Sequence, residues 1–504
     1  MKKSISLILM LVLIFSAVLA GCSKGNNEAK NSDASPSQSA SATGSQSNSQ
    51  TPAPGAEKVV ITMWNRLNKA TFDNVIAGFQ EKYPNITVKL ENLPEGGGDV
   101  AQYQAAVNGN ELPDIFVRPT EYSVAQLVKL GRLHDLDEVF PKEGFGDYTE
   151  GTFAEGYGSI DGKVYTFPLF SSLHGALMMY YNKKVLESVG YTAADIPKSW
   201  DELLAFGKEF NQKSGGKVYA LGFGAKTNYF ATYLMNQQAS PITPEGQFNF
   251  LTGQYNFNTQ GYIETMQFYK KAYDEKVLHP ATIDADTGKA YTLLKTGEVA
   301  FMMGGNWSGE YLSQPDKDGN VAFTTDDWGV VPIPSKNGGP QYQYFEGGSG
   351  EYLYVSKETK HWPEVKLFLE YMRDNFYGSV IETGQTMPSK KVELIPDAKP
   401  KFAQYTDISK MMVEFKRLTP TVYAHNPAAT SVVAQYNNYK PKENVGSIFL
   451  GYLQGQLKDL DKPLQKLTDD SNAALKRAID EAGGAVKAED FVFPDWVPGE
   501  NYKG

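Results

Sequence analysis

"VVITMWNRLNKATFDNVIAGFQEKYPNITVKL" occupies residues 59–90. Its first six residues form an apolar run of the length of a buried strand. Phe72, Val75, Ile76 and Phe79 then recur at helical spacing, and Pro84 lies just past the last turn. "ITVKL" (86–90) alternates like a strand. A strand, a helix and a second strand in so short a span predict a parallel pair with a right-handed crossover. The pattern continues outward. "DVAQYQAAVNG" (99–109) reads as a helix ending at Gly109, "DIFV" (114–117) as a third strand, and "SVAQLVKLGRL" (123–133) as a helix closed near Gly131. Strands separated by helices of this length define an α/β fold with a parallel sheet.

Further along, "DGKVYTFPLF" (161–170) reads as a hairpin or extended strand, and "GALMMYYNKKVLESVG" (175–190) as a strand entering a short helix. Ser199 and Glu202 form a capping box for the helix over 199–215. "GYIETMQFYKKAYDEKVL" (261–278) is a longer amphipathic helix. "KAYTLLKTGEVAFMMGGNW" (289–307) is a helix, a glycine turn and a strand. "EYLYVSK" (351–357) is a strand and "HWPEVKLFLEYMRDNF" (361–376) a helix. The last hundred or so residues read as mainly helical, with an aromatic tail near Trp496. No internal repeat of fixed period is present.

The N-terminus has a different character. Lys2 and Lys3 precede an almost wholly apolar run from Ile5 to Leu19, followed by Ala20, Gly21 and the chain's single cysteine, Cys22. This is a secretory signal, shorter than the roughly 20 residues of a spanning helix. Leu19-Ala20-Gly21-Cys22 resembles the bacterial lipobox, which implies cleavage after residue 21 and lipid on Cys22. Plain secretion with an incidental cysteine is the alternative. Residues 23–56 are rich in Ser, Asn, Gln, Ala and Pro. They bury too little to fold and serve as a tether reaching roughly 30 Å. The chain carries 58 acidic and 48 basic residues, a formal charge of −10, without a long basic block. That argues against a nucleic-acid partner. No second long apolar run follows, so the body reads as soluble. Its 30 Tyr and 27 Phe favour a sugar over an inorganic anion as ligand.

Taken in order, "VVITMWN", "FQEKYPNITVKL", "LPDIFV", "LVKLGRLHDLD", "DGKVYTFPL", "MYYNKKVLESVG", "SWDEL", "LLKTGEVAFMMGGNW", "GGSGEYLYVSKETKHWPEVKLFLEYM" and "GQTMPSKK" resemble an extracellular solute-binding lipoprotein of an ABC importer, in the carbohydrate-binding group of the maltodextrin-binding proteins. The resemblance runs in register from 57 to about 390 and weakens beyond. It implies a type II periplasmic-binding-protein-like fold, with two discontinuous α/β lobes joined by hinge strands. Expected boundaries are 57–172 with 348–390 for lobe 1, and 173–347 with 391–504 for lobe 2. The chain should cross near Ser171–Gly175, return near Gly347–Gly350 through "EGGSGE", and cross again after Pro388.

A sugar cleft needs flat aromatics for C–H faces and planar polar groups for hydroxyls. Ligands sit beyond the carboxyl ends of strands in open α/β sheets. That places Trp64, and Arg66 and Asn68 in the loop after it, at the candidate site. The resemblance adds Trp307 as a ring-stacking position, Glu121 with Tyr122 as hydroxyl-bonding groups, and Asn228 with Tyr229 as a second aromatic position. Glu121 stands where an Asp is familiar. Ser171, Ser172 and His174 sit at the first crossing, Gly348 admits backbone close to a ligand, and Tyr436 is a candidate from the C-terminal part. Core packing is the alternative for both tryptophans, and a surface or satisfied core position for His174. Arg66 and Arg118 could serve an acidic sugar; Arg118 precedes Pro119 and solvation is its alternative.

Other chemistry fails on inspection. "PEGGGD" (94–99) lacks the Gly-Lys-Ser/Thr of a phosphate loop. "GGSGE" is not a nucleophile elbow. "QPDKDGN" (314–320) lacks the bidentate acid of a calcium loop. The five histidines, at 134, 174, 279, 361 and 425, show no metal spacing. No catalytic residue, metal or cofactor is expected. The expected function is capture of a sugar or oligosaccharide by a monomer, lipid-anchored on the extracellular face of the cell membrane, and delivery to ABC permease subunits. A secreted carbohydrate-active hydrolase or lyase, and a sensor or adhesin on the same scaffold, are the competing functions.

Overall fold

The structure, a computed structural model, describes residues 57–67, 70–93, 99–119, 121–314, 323–390 and 398–502. The chain divides into compact units at 1–50 and 51–504, and every described residue belongs to the second. The signal, the tether, Cys22, Asn68, and most of the 94–99 and 314–320 loops lie outside the described residues.

The chain opens with β1 (Val59–Asn65), α1 (Ala70–Lys82), β2 (Ile86–Asn92), α2 (Val100–Gly109), β3 (Ile115–Val117), α3 (Val124–Lys129) and β4 (Phe167–Pro168). It continues with β5 (Leu177–Asn182), α4 (Trp200–Lys213), β6 (Tyr219–Gly222), α5 (Asn228–Ala239), α6 (Gln260–Asp274), α7 (Thr287–Lys295), β7 (Val299–Gly305), β8 (Trp328–Val331) and β9 (Gln343–Phe345). Then come β10 (Tyr352–Val355), α8 (Trp362–Thr383), α9 (Tyr405–Glu414), β11 (Lys416–Leu418), α10 (Ala429–Tyr439), α11 (Val445–Leu453) and α12 (Asp461–Glu481).

The first sheet has the order β2-β1-β3-β10-β4. β1 is parallel to β2, with Val59 opposite Ile86, and parallel to β3. Ile61 and Met63 point into a core where α1 sets Phe72, Val75 and Phe79 against α8. The Phe72 and Phe376 rings stack at 5.4 Å. The sheet is mixed rather than wholly parallel, because β10 is antiparallel to β3. β1–β3 run toward the crossings, and a chain returning through a crossing enters at that end and must run away from it. Helix α8 extends beyond its expected end, since Tyr377, Val380 and Ile381 stay buried, and it stops at Gly384 with φ +90°.

The second sheet has the order β8-β5-β7-β6. β5 leaves the first crossing and β7 returns antiparallel to it, Gly305 opposite Leu177. β6 is parallel to β7. The ends of β6 and β7 therefore face the crossing, which brings α5 and Asn306–Trp307 toward it. Leu203, Phe210, Phe230, Leu234, Phe301 and Phe449 fill one side of this sheet. Met178, Tyr180, Met302 and Trp328 meet α9 on the other. The expected Ser199–Glu202 capping box is present on α4. The C-terminal part builds a separate aromatic cluster in which Phe250 meets Trp496 edge-on at 5.2 Å. Its helix α10 touches α3 beside the first sheet.

Candidate functional site

The three crossings between the sheets meet at Ser171. Its N–H donates to the Thr386 carbonyl at 2.8 Å, and its carbonyl accepts from Gly350 N–H at 3.2 Å. The neighbouring glycines are required by space. Gly348 has φ +86°, and a Cβ there would overlap the Tyr352 hydroxyl; a Cβ on Gly350 would lie 2.6 Å from His174 Cβ. Two adjoining cavities open beside this junction, and Arg118, Tyr157 and Tyr352 line both.

The first cavity, about 370 Å³, is walled by aromatics from distant parts of the chain, among them Tyr122, Tyr157, Tyr255, Tyr354, Tyr423 and Tyr436. Tyr436 stacks on Tyr255 at 5.2 Å with planes 10° apart. Glu346 reaches this cavity from the start of the second crossing. Its carboxylate meets the cleft solvent yet is ringed by protein mass, and that burial raises its pKa from 4.5 to about 7. The second cavity, about 430 Å³, is lined by Arg118, His174, Tyr233, Asn236, Gln343 and Lys416, among others.

His174 is held neutral. Burial, then the charges of Lys416 and Arg118, lower its pKa to about 3. Asn306 accepts from Gly175 N–H through Oδ1 at 2.9 Å. That fixes its amide, so Nδ2 donates to His174 Nδ1 at 3.2 Å and the ring proton resides on Nε2. The ring lies against Trp307, which continues to Tyr229 at 6.2 Å and so to Tyr233 at 6.0 Å.

The residues expected at the site are distributed unevenly. Tyr122, His174 and Tyr436 line the cavities, as do Ser172 and Arg118. Ser171 and Gly348 form the junction behind them. Arg66 donates to Glu351 Oε2 at 2.7 Å and to the Arg118 carbonyl at 3.1 Å, a framework role beneath Arg118. Trp64 packs edge-on against Tyr103 at 5.5 Å. Glu121 sits in the charged group with Arg66, Asp99 and Glu351 around Tyr103. Asn228 faces Gly446 of α11, and Tyr229 stands 49% exposed. Tyr157, Tyr233, Glu346, Tyr423 and Lys416 were not expected. Lys416 and Tyr423 lie beyond residue 390, where the sequence resemblance fades; Tyr157, Tyr233 and Glu346 lie within it but carry no local signal of their own.

Residues 64–375 match the model of the bacterial extracellular solute-binding proteins. That is more than half of the chain, which belongs to this family. The arabinooligosaccharide-binding protein of Bacillus subtilis is 23% identical over 75% of this chain and 78% of its own length. The maltodextrin-binding protein MdxE of the same organism is 26% identical over 64% and 71%. The GacH receptor of Streptomyces glaucescens, solved unliganded and with acarbose, superimposes with a TM-score of 0.61 at 19% identity, over 84% of this chain and all of that one. The fold is therefore the two-lobed α/β fold of these binding proteins.

Proposed function

We propose that this protein captures an oligosaccharide between two lobes, 57–172 with 348–390 and 173–347 with 391–504, and hands it to the membrane permease of an ABC importer. The observation that carries the reading is the pair of cavities, rich in tyrosine, at the junction of three backbone crossings. Aromatic faces cover sugar C–H surfaces, and the crossings allow one lobe to close on the other. The sugar-binding names of the relatives point the same way. The Leu19–Cys22 pattern supports a lipid anchor at the extracellular face of the membrane, and the protein works as a monomer. Among the described residues lining the two cavities, Glu346 is the one carboxylate. Glycoside hydrolysis ordinarily uses two.

The test uses the full chain purified in detergent. Tryptophan fluorescence and melting temperature are followed across mono- and oligosaccharides, and each sugar is recovered afterwards. A ligand at a hundred times its Kd adds about 2.7 kcal/mol of stability. A selective upward shift with intact sugar supports capture. Turnover overturns it in favour of an enzyme, and no shift with any sugar removes sugars as the ligand class.

A further inference from the structure

Lys416 is 5% exposed and lines the second cavity, and no hydrogen bond or ion pair of its ammonium is found among the described residues. It begins β11, which pairs in parallel with β9, Gln343 opposite Lys416. Its Nζ lies beside Gly175: a Cβ on that glycine would meet it at 3.4 Å and would meet the Tyr233 ring at the same distance. Burial alone pulls the group down to about 8, so it stays a cation at neutral pH. A buried charge is normally paired.

Arg118 approaches the same cavity from the opposite lobe. Its Nε is buried without a hydrogen bond, and Glu351 stands 3.6 Å away, engaged at 2.7 Å by Arg66. Among the described residues, the terminal nitrogens of Arg118 make no hydrogen bond. The second cavity thus has two cations facing it, a neutral imidazole that feels both charges and no carboxylate among its described lining, in a chain whose net charge is −10. Glu351, already engaged by Arg66, is the carboxylate beside Arg118. Asp99, Glu121 and Glu351 surround Arg66 and Tyr103, and Glu346 faces the first cavity.

We infer that the bound oligosaccharide carries a carboxylate, seated in the second cavity between Arg118 and Lys416 while its neutral rings lie along the tyrosines of the first. A guanidinium fork and an ammonium together complement a planar carboxylate. Because Arg118 belongs to one lobe and Lys416 to the other, the anion would supply binding energy that is complete only when the lobes are closed. The inference rests on the sugar reading above and narrows it to uronate-bearing oligosaccharides.

The test titrates the full chain with di- and trisaccharides of galacturonate, glucuronate and mannuronate, each beside its carboxyl-reduced counterpart. At least one uronate should bind about tenfold or more tighter than its reduced form, as expected for hydrogen bonds to charged groups. Lys416→Met should erase that preference and, by removing an unpaired buried charge, raise the melting temperature of the ligand-free protein. Arg118→Gln should erase the preference too. A reduced sugar that binds as well as its uronate overturns the inference and leaves the sugar reading standing. A lowered melting temperature in Lys416→Met marks the ammonium as structural and overturns it as well. No binding of any sugar, acidic or reduced, overturns both.

Discussion

The imidazole of His174 lies nearly parallel to the indole of Trp307, ring centroids 4.9 Å apart and planes 25° apart. The stack holds the histidine in the cleft wall, where Lys416 and Arg118 face it and oppose a third positive charge. In the unfolded chain the imidazole gains a proton below its ordinary 6.5, whereas in the fold it resists until about 3. The unfolded state therefore binds more protons in this window, and native stability falls as pH drops through it. The melting temperature should decline more steeply from pH 6.5 to 4 for the native sequence than for His174→Gln. Parallel curves would show that the folded imidazole takes up a proton normally.

Glu346 tilts stability the other way. Its folded pKa, raised from 4.5 to about 7 by burial, keeps a proton that the unfolded chain releases. Stability should fall as pH rises from about 4.5 to 7, and Glu346→Gln should flatten that slope. Because the carboxyl still meets solvent, the effect is modest. A carbon-13 titration of the carboxyl with its midpoint near 4.5 would contradict the expectation.

Tyr122 and Tyr436 should separate from Trp64 in mutant behaviour. Replacing either tyrosine by alanine removes an aromatic face from the first cavity and should weaken sugar binding about tenfold. Trp64→Ala removes the edge contact to Tyr103 and should destabilise the fold by about 2–3 kcal/mol. Its affinity, measured well below the melting transition, should stay within about threefold of the native protein. Calorimetry beside urea unfolding distinguishes the two classes.

The glycines at the Ser171 junction make a third contrast. Gly348→Ala must accept φ +86° and displace Tyr352, so a loss of at least about 2 kcal/mol is expected. Gly350→Ala pushes on His174 and should lose about 1–3 kcal/mol. A Gly338→Ala control, also at positive φ but with only the Lys198 backbone at 3.7 Å, should lose less. Equal losses in Gly348→Ala and Gly338→Ala would mean that crowding at the junction adds nothing to backbone strain.

The alternation of apolar runs at 59–90 was enough to read the α/β class and the start of the first sheet, because a strand and a helix of fixed period leave few ways to bury both. The glycines at 347–350 announced a crossing for a similar local reason. The antiparallel return of β10 was not legible, since strand direction there depends on where the chain re-enters after the second sheet. Tyr122 was a candidate from a strand end, His174 from the crossing and Tyr436 from the C-terminal part, and all three line the cavities. Lys416 was not. In "EFKRLT" it reads as one more surface lysine, and its burial exists only because β11 pairs with β9 beside a crossing. Arg66 was misleading for the converse reason: its partner Glu351 is far along the sequence, and only folding shows the pair.

Three strands of backbone tied at Ser171 behave like a door hung on one line of pins. The panel can swing, but it resists sliding and racking, because either would stretch the bonds from Ser171 to Thr386 and to Gly350 together. The lobes proposed above would then have one soft coordinate, an opening angle. A ligand between them would act on that angle, and a docking permease would need to gauge only that single dimension, full or empty, whatever the chemistry of the cargo.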